Sequence, residues 1–357
     1  MEDTTSGTTA PCIISTSGLT KAFGSLVAVN NLHLEVMRGD VFGFLGPNGS
    51  GKTTTIRMLL GLIRPTAGKA YIFGMDNATH LPAILPRMGA IVETPVFYPY
   101  LSGVDNLRSV ATASGMLQGK ASESRIDEVL TIVDLQRQAK DAYHKYSLGM
   151  KQRLGIGAAL LTDPELVLLD EPTNGLDPVG VHEIRQLILL LSSLGKTIFI
   201  SSHILYEVQQ VCNRVAIMQR GTLVKQGRVG ELLNQGQQVI VRLNTPEETQ
   251  QALAILQQAR EQDASWISQV RLEADRQKQA IMRVDMAATR SAEITALLAR
   301  NNLFIAEMYP YQVSLEEVFL ELTGTTATEA RPGMAALAGG ASQDQARAAT
   351  EISNTRK

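Results

Sequence analysis

The chain has 357 residues, 44% apolar and 19% charged, with a formal net charge of −2. That is globular composition with room for two domains, and it gives no general attraction to nucleic acid. No run of 18 or more apolar residues is present to span a membrane, and the only cysteines, Cys12 and Cys212, are too few for a disulfide framework and point to a reducing compartment, the cytoplasm.

The opening MEDTTSGTTAPC has neither a basic region nor an apolar core, so it does not read as a signal peptide, and residues 1–11 are expected to be disordered. Cys12 to Ile14 begins a strand, and Leu32, Leu34 and Val36 alternate with polar residues as an antiparallel strand does. Arg38-Gly39-Asp40 turns into the apolar run Val41, Phe42, Phe44 and Leu45. There follows GPNGSGKTT, in which Gly46, Gly51, Lys52 and Thr53 fit G-x-x-x-x-G-K-[ST], and then a helix-compatible run through Ile56, Met58 and Leu59. This strand–loop–helix context suits phosphate binding. Glycines at 46, 49 and 51 let the backbone aim its N–H groups into a nest, and the positive end of the next helix faces the same anion. The nucleotide-binding element is therefore Gly46, Pro47, Asn48, Gly49, Ser50, Gly51 and Lys52, with Thr53 and Thr54 opening the helix. Lys52 is expected to reach the β- and γ-phosphates, and the Thr53 hydroxyl to hold Mg²⁺. A Gly-rich turn that merely caps a helix is the alternative.

After the turn Pro65–Gly68 comes the apolar run Tyr71–Phe73, and residues from about 95 to 163 are mostly helical, with Ile126, Val129, Leu130 and Val133 on one helix face. Leu166–Leu169 ends in Asp170-Glu171, the pattern of a buried parallel strand; a helix through Val181–Leu191 and the buried strand Thr197–Ile200 follow. The alternation predicts an α/β fold with a mainly parallel sheet and helices on both faces. Val215–Met218 and Leu223–Lys225 form a hairpin through Arg220-Gly221. Asp170 at a strand end is placed to hold Mg²⁺, and Glu171 to orient or deprotonate the water that attacks the γ-phosphate. Beyond residue 235 the order β-α-β-β-α-β plus a helix at 314–322 predicts a separate ferredoxin-like α+β unit over 238–322. Residues 324–357 are expected to be a disordered tail.

Tyr146-Ser147-Leu148-Gly149-Met150-Lys151-Gln152-Arg153 resembles the signature sequence of the ATP-binding-cassette (ABC) ATPases, matching at Ser147 and Gly149 and departing at Leu148 and Met150. Pro172–Asp177 resembles the family's segment ending in the D-loop, His203 its switch histidine, and Phe23 the aromatic that stacks on adenine, though a core phenylalanine fits Phe23 equally. Where the family has a glutamine after Met88–Val92, this chain has Glu93, similar to the ATPases of bacitracin and lantibiotic systems. A carboxylate there can still serve Mg²⁺.

The resemblance covers about residues 12–233 and implies a P-loop NTPase cassette over 12–235 with an antiparallel β subdomain and a helical one. It implies ATP and Mg²⁺ as cofactors, with Glu171, His203 and Lys52 catalytic and Thr53, Glu93 and Asp170 at the metal. It also implies a head-to-tail dimer, in which Ser147 and Gly149 of one copy cap the nucleotide of the other and Asp177 lies at the contact. The partner implied is a separate transmembrane permease, docking beside Glu93–Tyr100, with the chain peripheral on the inner face of the membrane. An exporter is expected. A soluble ABC ATPase acting on ribosomes or DNA, and a non-hydrolysing regulator, are the rival readings.

Overall fold

A computed structural model of the protein describes residues 11–117, 119–233, 238–262, 266–274, 279–286, 288–311 and 313–323. The disorder expected for residues 1–11 and 324–357 lies outside them except at Pro11. Strand β1 (Cys12–Phe23) pairs antiparallel with β2 (Leu26–Leu32) and β3 (Glu35–Met37). The single strand expected through Leu32, Leu34 and Val36 is thus two. Asn31 stands at φ +49° just before the break, and Thr16 bridges it, its backbone N–H donating to Leu34 O and its hydroxyl accepting the Leu34 N–H, both at 2.9 Å. All three apolar side chains are still fully buried.

Strand β4 (Val41–Leu45) feeds the glycine loop and helix α1 (Lys52–Leu59). Strands β5 (Ala67–Ile72) and β6 (Met75–Asp76) extend the antiparallel sheet, in order β2-β1-β5-β6 with β3 also against β1. Helix α2 (Asn77–Ile84) leads to β7 (Met88–Ile91), and α3 (Gly103–Ala113), α4 (Lys120–Ile132) and α5 (Leu148–Leu160) form a helical layer. Ser102 caps α3 by accepting the Asp105 N–H, satisfying a donor the first turn leaves free.

Strand β8 (Leu166–Asp170), α6 (Pro178–Ser193), β9 (Thr197–Ser202), α7 (Leu205–Val211), β10 (Arg214–Gln219) and β11 (Thr222–Arg228) complete a six-stranded sheet. Its order is β11-β10-β4-β9-β8-β7, parallel except for the β10–β11 hairpin. Every residue of β4, β8 and β9 is buried, as strands covered on both faces require. Alternate side chains divide between two cores. Val41, Leu45, Val167, Leu169, Ile198 and Ile200 face the helical layer. Phe42, Phe44, Leu166, Leu168 and Phe199 face α1 and the antiparallel sheet, with the Phe199 ring centroid 5.6 Å from Phe42 and 5.3 Å from Phe44.

After α8 (Val229–Leu233), strands β12 (Gln238–Leu243), β13 (Gln269–Ala274), β14 (Ala280–Asp285) and β15 (Ile305–Tyr311) form a third sheet, antiparallel throughout, in order β13-β14-β12-β15. Helices α9 (Pro246–Gln262) and α10 (Ser291–Arg300) enclose a core of Val239, Val241, Leu256, Met282, Ile294 and Leu298. The last helix, α11 (Leu315–Thr323), leaves that core. Its buried Leu315 and Val318 join the large core that runs from Val41 to Leu232, beside Val208, Val229 and Leu232. No described helix is long and apolar enough to cross a membrane.

Candidate functional site

The glycine loop runs from the end of β4 to the start of α1. Gly51 occupies the N-cap of α1 at φ +103°, with no side-chain cap, so the first-turn N–H groups stay available to an anion. A Cβ at Gly51 would lie 2.5 Å from Ala28 O, and one at Gly46 would lie 2.5 Å from Met218 O and from Ser50 Oγ. Ser50 is buried and its hydroxyl has no partner. An uncapped helix start, glycines that a methyl group would disrupt and an orphaned hydroxyl all fit a bound phosphate. Lys52 is 5% exposed, and its Nζ donates to Gly46 O at 2.8 Å and Pro47 O at 3.3 Å. Thr53 and Thr54 follow it, partly buried on the first turn of α1.

Two strands away, the parallel register sets Asp170 opposite Ser201. Ser201 Oγ donates to Asp170 Oδ1 and accepts the Glu171 N–H at 2.9 Å. Glu171 itself sits at φ +47°, a conformation that costs a non-glycine residue about 1–3 kcal/mol and so depends on such anchors. Its carboxylate lies between two partners. Oε1 is 3.1 Å from Lys52 Nζ, an ion pair without hydrogen-bond geometry, and Oε2 is 2.8 Å from His203 Nδ1. Lys52, Glu171 and His203 are thereby one cluster beside the phosphate cradle, able to place a water and take its proton. Among the described residues no group of three or more His, Cys, Asp or Glu is arranged to hold a metal ion. A cation held by Thr53 and Asp170 would therefore share the oxygens of a bound phosphate.

Ser147, Gly149 and Asp177 make a second cluster. Ser147 N-caps α5 by accepting the Met150 N–H at 3.2 Å, and Asp177 N-caps α6 by accepting the Gly180 N–H at 3.0 Å. The two helix starts are neighbours, since a Cβ on Gly149 would be 3.9 Å from Gly180 Cα and one on Gly175 3.4 Å from Leu148 Cδ2. Val179 and Leu148 stand exposed there. Phe23 ends β1 half exposed, with Lys21 Nζ 5.0 Å from its ring centroid, so it is no core residue. Glu93 stands at φ +64°, exposed, its carboxylate taken by the Arg57 guanidinium.

Of the aromatics after Glu93, Tyr98 and Tyr100 are exposed, whereas Phe97 packs edge-on against Tyr143 at 5.2 Å. Beside them a cavity of about 720 Å³ opens between the end of β7 and the helical layer, lined by Pro95, Val96, Phe97, Val110 and Ala158. Ser201 and the Thr173–Glu207 hydrogen bond were absent from the sequence reading. Only the serine pair preceding His203 hinted at the first.

Residues 29–174 match the family model described as ABC transporter. The chain is 52% identical over 215 residues to the bacitracin transport ATP-binding protein BcrA of Bacillus licheniformis, covering 60% of this chain and 69% of that one. It is 38% identical over 212 residues to the lantibiotic transport ATP-binding protein SrtF of Streptococcus pyogenes, covering 59% and 89%. Among solved structures, a dimeric post-hydrolysis state of the ATP-binding cassette MJ0796 bound to ADP and Pi superposes with a TM-score of 0.55 at 25% identity, covering 61% of this chain and 99% of that one.

Proposed function

As the chain belongs to the ABC transporter family, we propose that it binds ATP with Mg²⁺ and hydrolyses it to ADP and phosphate, powering a membrane transporter. The observation that carries the chemistry is the Lys52–Glu171–His203 cluster at the mouth of the glycine loop. The segment 46–54 cradles the phosphates through the backbone N–H groups of its residues other than Pro47, and Phe23 stacks on the adenine. A γ-phosphate takes over the Lys52 ammonium and frees Glu171 to orient water and accept its proton, while His203 contacts the phosphate. Thr53 and Asp170 would hold Mg²⁺, which would supply charge neutralisation; Glu93 would join them only by releasing Arg57. Two copies pair head to tail, and Ser147 and Gly149 of one offer their helix start to the nucleotide of the other, with Asp177 at the contact.

The partner is a separate permease whose cytoplasmic element enters the cavity beside Tyr98 and Tyr100, which places the chain in the cytoplasm on the inner face of the membrane. The bacitracin and lantibiotic relatives support an exporter of drug, peptide antibiotic or lipid-like cargo. We assign residues 12–235 to the cassette, with its helical subdomain at about 95–163. Residues 238–322 form an accessory unit of ferredoxin-like topology that stabilises the dimer or senses a ligand.

The test is phosphate release by the wild type and Glu171→Gln. Loss of turnover with nucleotide still bound is expected; equal rates would remove Glu171 from the chemistry. Recovery of the tagged chain with a polytopic membrane protein supports the transporter role, and recovery with ribosomes refutes it.

A further inference from the structure

Helix α7 stands between the catalytic cluster and α11, and its polar side chains grip both. Glu207 Oε2 accepts the Thr173 hydroxyl at 2.5 Å, two residues beyond Glu171. Gln209 Oε1 accepts the backbone N–H of Leu315, the first residue of α11, at 3.0 Å. Both grips matter because α7 has only seven residues and its N-cap, Ile204, makes no side-chain cap bond, so it has little helical stability of its own.

On the far side, α11 is anchored. Leu315 and Val318 are buried in the large core, and Glu317 accepts the Tyr311 hydroxyl and lies 3.7 Å from Arg283 of the third sheet. At the near end of α7 is His203, whose ring meets Glu171. A cavity of about 500 Å³, lined by Pro47, Asn48, His203, Tyr206, Phe319 and Leu320, lies between α11 and the glycine loop.

We propose that Glu207 and Gln209 are positioning residues for hydrolysis. They clamp α7 between the Glu171 segment and α11, hold His203 against the Glu171 carboxylate, and make the C-terminal unit a determinant of turnover rather than of nucleotide affinity. This rests on the hydrolytic reading above. The link is a continuous run of packed and hydrogen-bonded groups, the physical form such coupling takes.

The test uses the full chain and phosphate release against ATP concentration. Gln209→Leu removes the acceptor at similar volume and is expected to lower kcat roughly 3- to 10-fold, the size of one net hydrogen bond. KM for ATP stays within about twofold, because the glycine loop is untouched. Gln209→Glu keeps an oxygen at that place and restores most of kcat, which a bulk packing role does not predict. Glu207→Leu lowers kcat similarly, and the double variant falls short of the product of the two single effects. Full kcat in both leucine variants, with Glu171→Gln inactive, overturns the clamp and leaves hydrolysis standing. Absence of phosphate release by the wild type overturns the hydrolytic reading itself, and the clamp with it; activity retained by Glu171→Gln removes Glu171 from the chemistry. A fall in melting temperature with kcat of the folded protein unchanged makes the two residues merely structural and also overturns the clamp.

Discussion

Replacing Ser201 by alanine removes a hydroxyl that serves two neighbours at once. Ser201 is fully buried and Asp170 is 4% exposed, so no water replaces the lost donor. A net hydrogen bond to a buried charge is worth about 1.5–3 kcal/mol. The Glu171 N–H keeps a longer bond to Ser201 O at 3.2 Å, so the second loss adds only about 0.5 kcal/mol. The expected cost is about 2–3.5 kcal/mol, which for a domain of this size lowers the melting temperature by roughly 4–14 °C. Glu171 is held at positive φ by the same hydroxyl, so phosphate release falls at least about tenfold as its carboxylate drifts. Calorimetry and a phosphate-release assay read both effects. An Asp170→Asn background separates the causes: with the charge gone, the same substitution costs about 1 kcal/mol less. A Ser201→Ala protein within about 0.5 kcal/mol of wild type would refute the reasoning.

Gly51→Ala combines positive φ with a Cβ placed 2.5 Å from Ala28 O, and is expected to cost at least about 2 kcal/mol and to weaken nucleotide binding tenfold or more. Gly49→Ala, at φ +80° with nothing within 4 Å of its Cβ, costs only about 1 kcal/mol. Titration with a fluorescent nucleotide must rank the two in that order. Glu165 has its carboxyl pulled down to about 2 by hydrogen bonds from Arg87 and then Arg38. A depressed carboxyl stabilises the fold above its unfolded value of about 4.3 and loses that contribution as pH falls toward 2. The side chain is 36% exposed, so the amount is below about 1 kcal/mol. The gap in urea midpoint between wild type and Glu165→Gln should therefore hold from about pH 6 down to about 4.5 and narrow as pH falls on toward 2.

The glycine loop was legible because its physics is local. Nine consecutive residues carry the turn, the anion nest and the lysine, and the flanking apolar runs identify strand and helix. Leu166–Asp170 was legible for a related reason, since an unbroken apolar stretch has few places to go except between two layers. Ser201 was not, because its meaning comes from register. It matters only once β8 and β9 lie side by side with Asp170 opposite it, and nothing near Ser201 in the chain states that pairing. Glu93 shows the same limit. Its carboxylate was expected at a metal, yet Arg57, thirty-six residues away in sequence, reaches it in space. The helix at 314–322 was placed with the segment before it by proximity. Its Leu315 and Val318 instead bury with Val208 and Leu232.

The order of the large sheet also bears on how the chain must be made. β4 lies between β10 and β9, both synthesised more than 150 residues after it. A ribosome adding about 5–20 residues per second therefore leaves Val41–Leu45 without a sheet partner for roughly 10–30 s. During that interval the apolar strand that carries the glycine loop is exposed to other nascent chains, and its long-range pairing is of the slow kind. Holdase chaperones that shield VFGFL until β9 emerges should raise the yield of native protein.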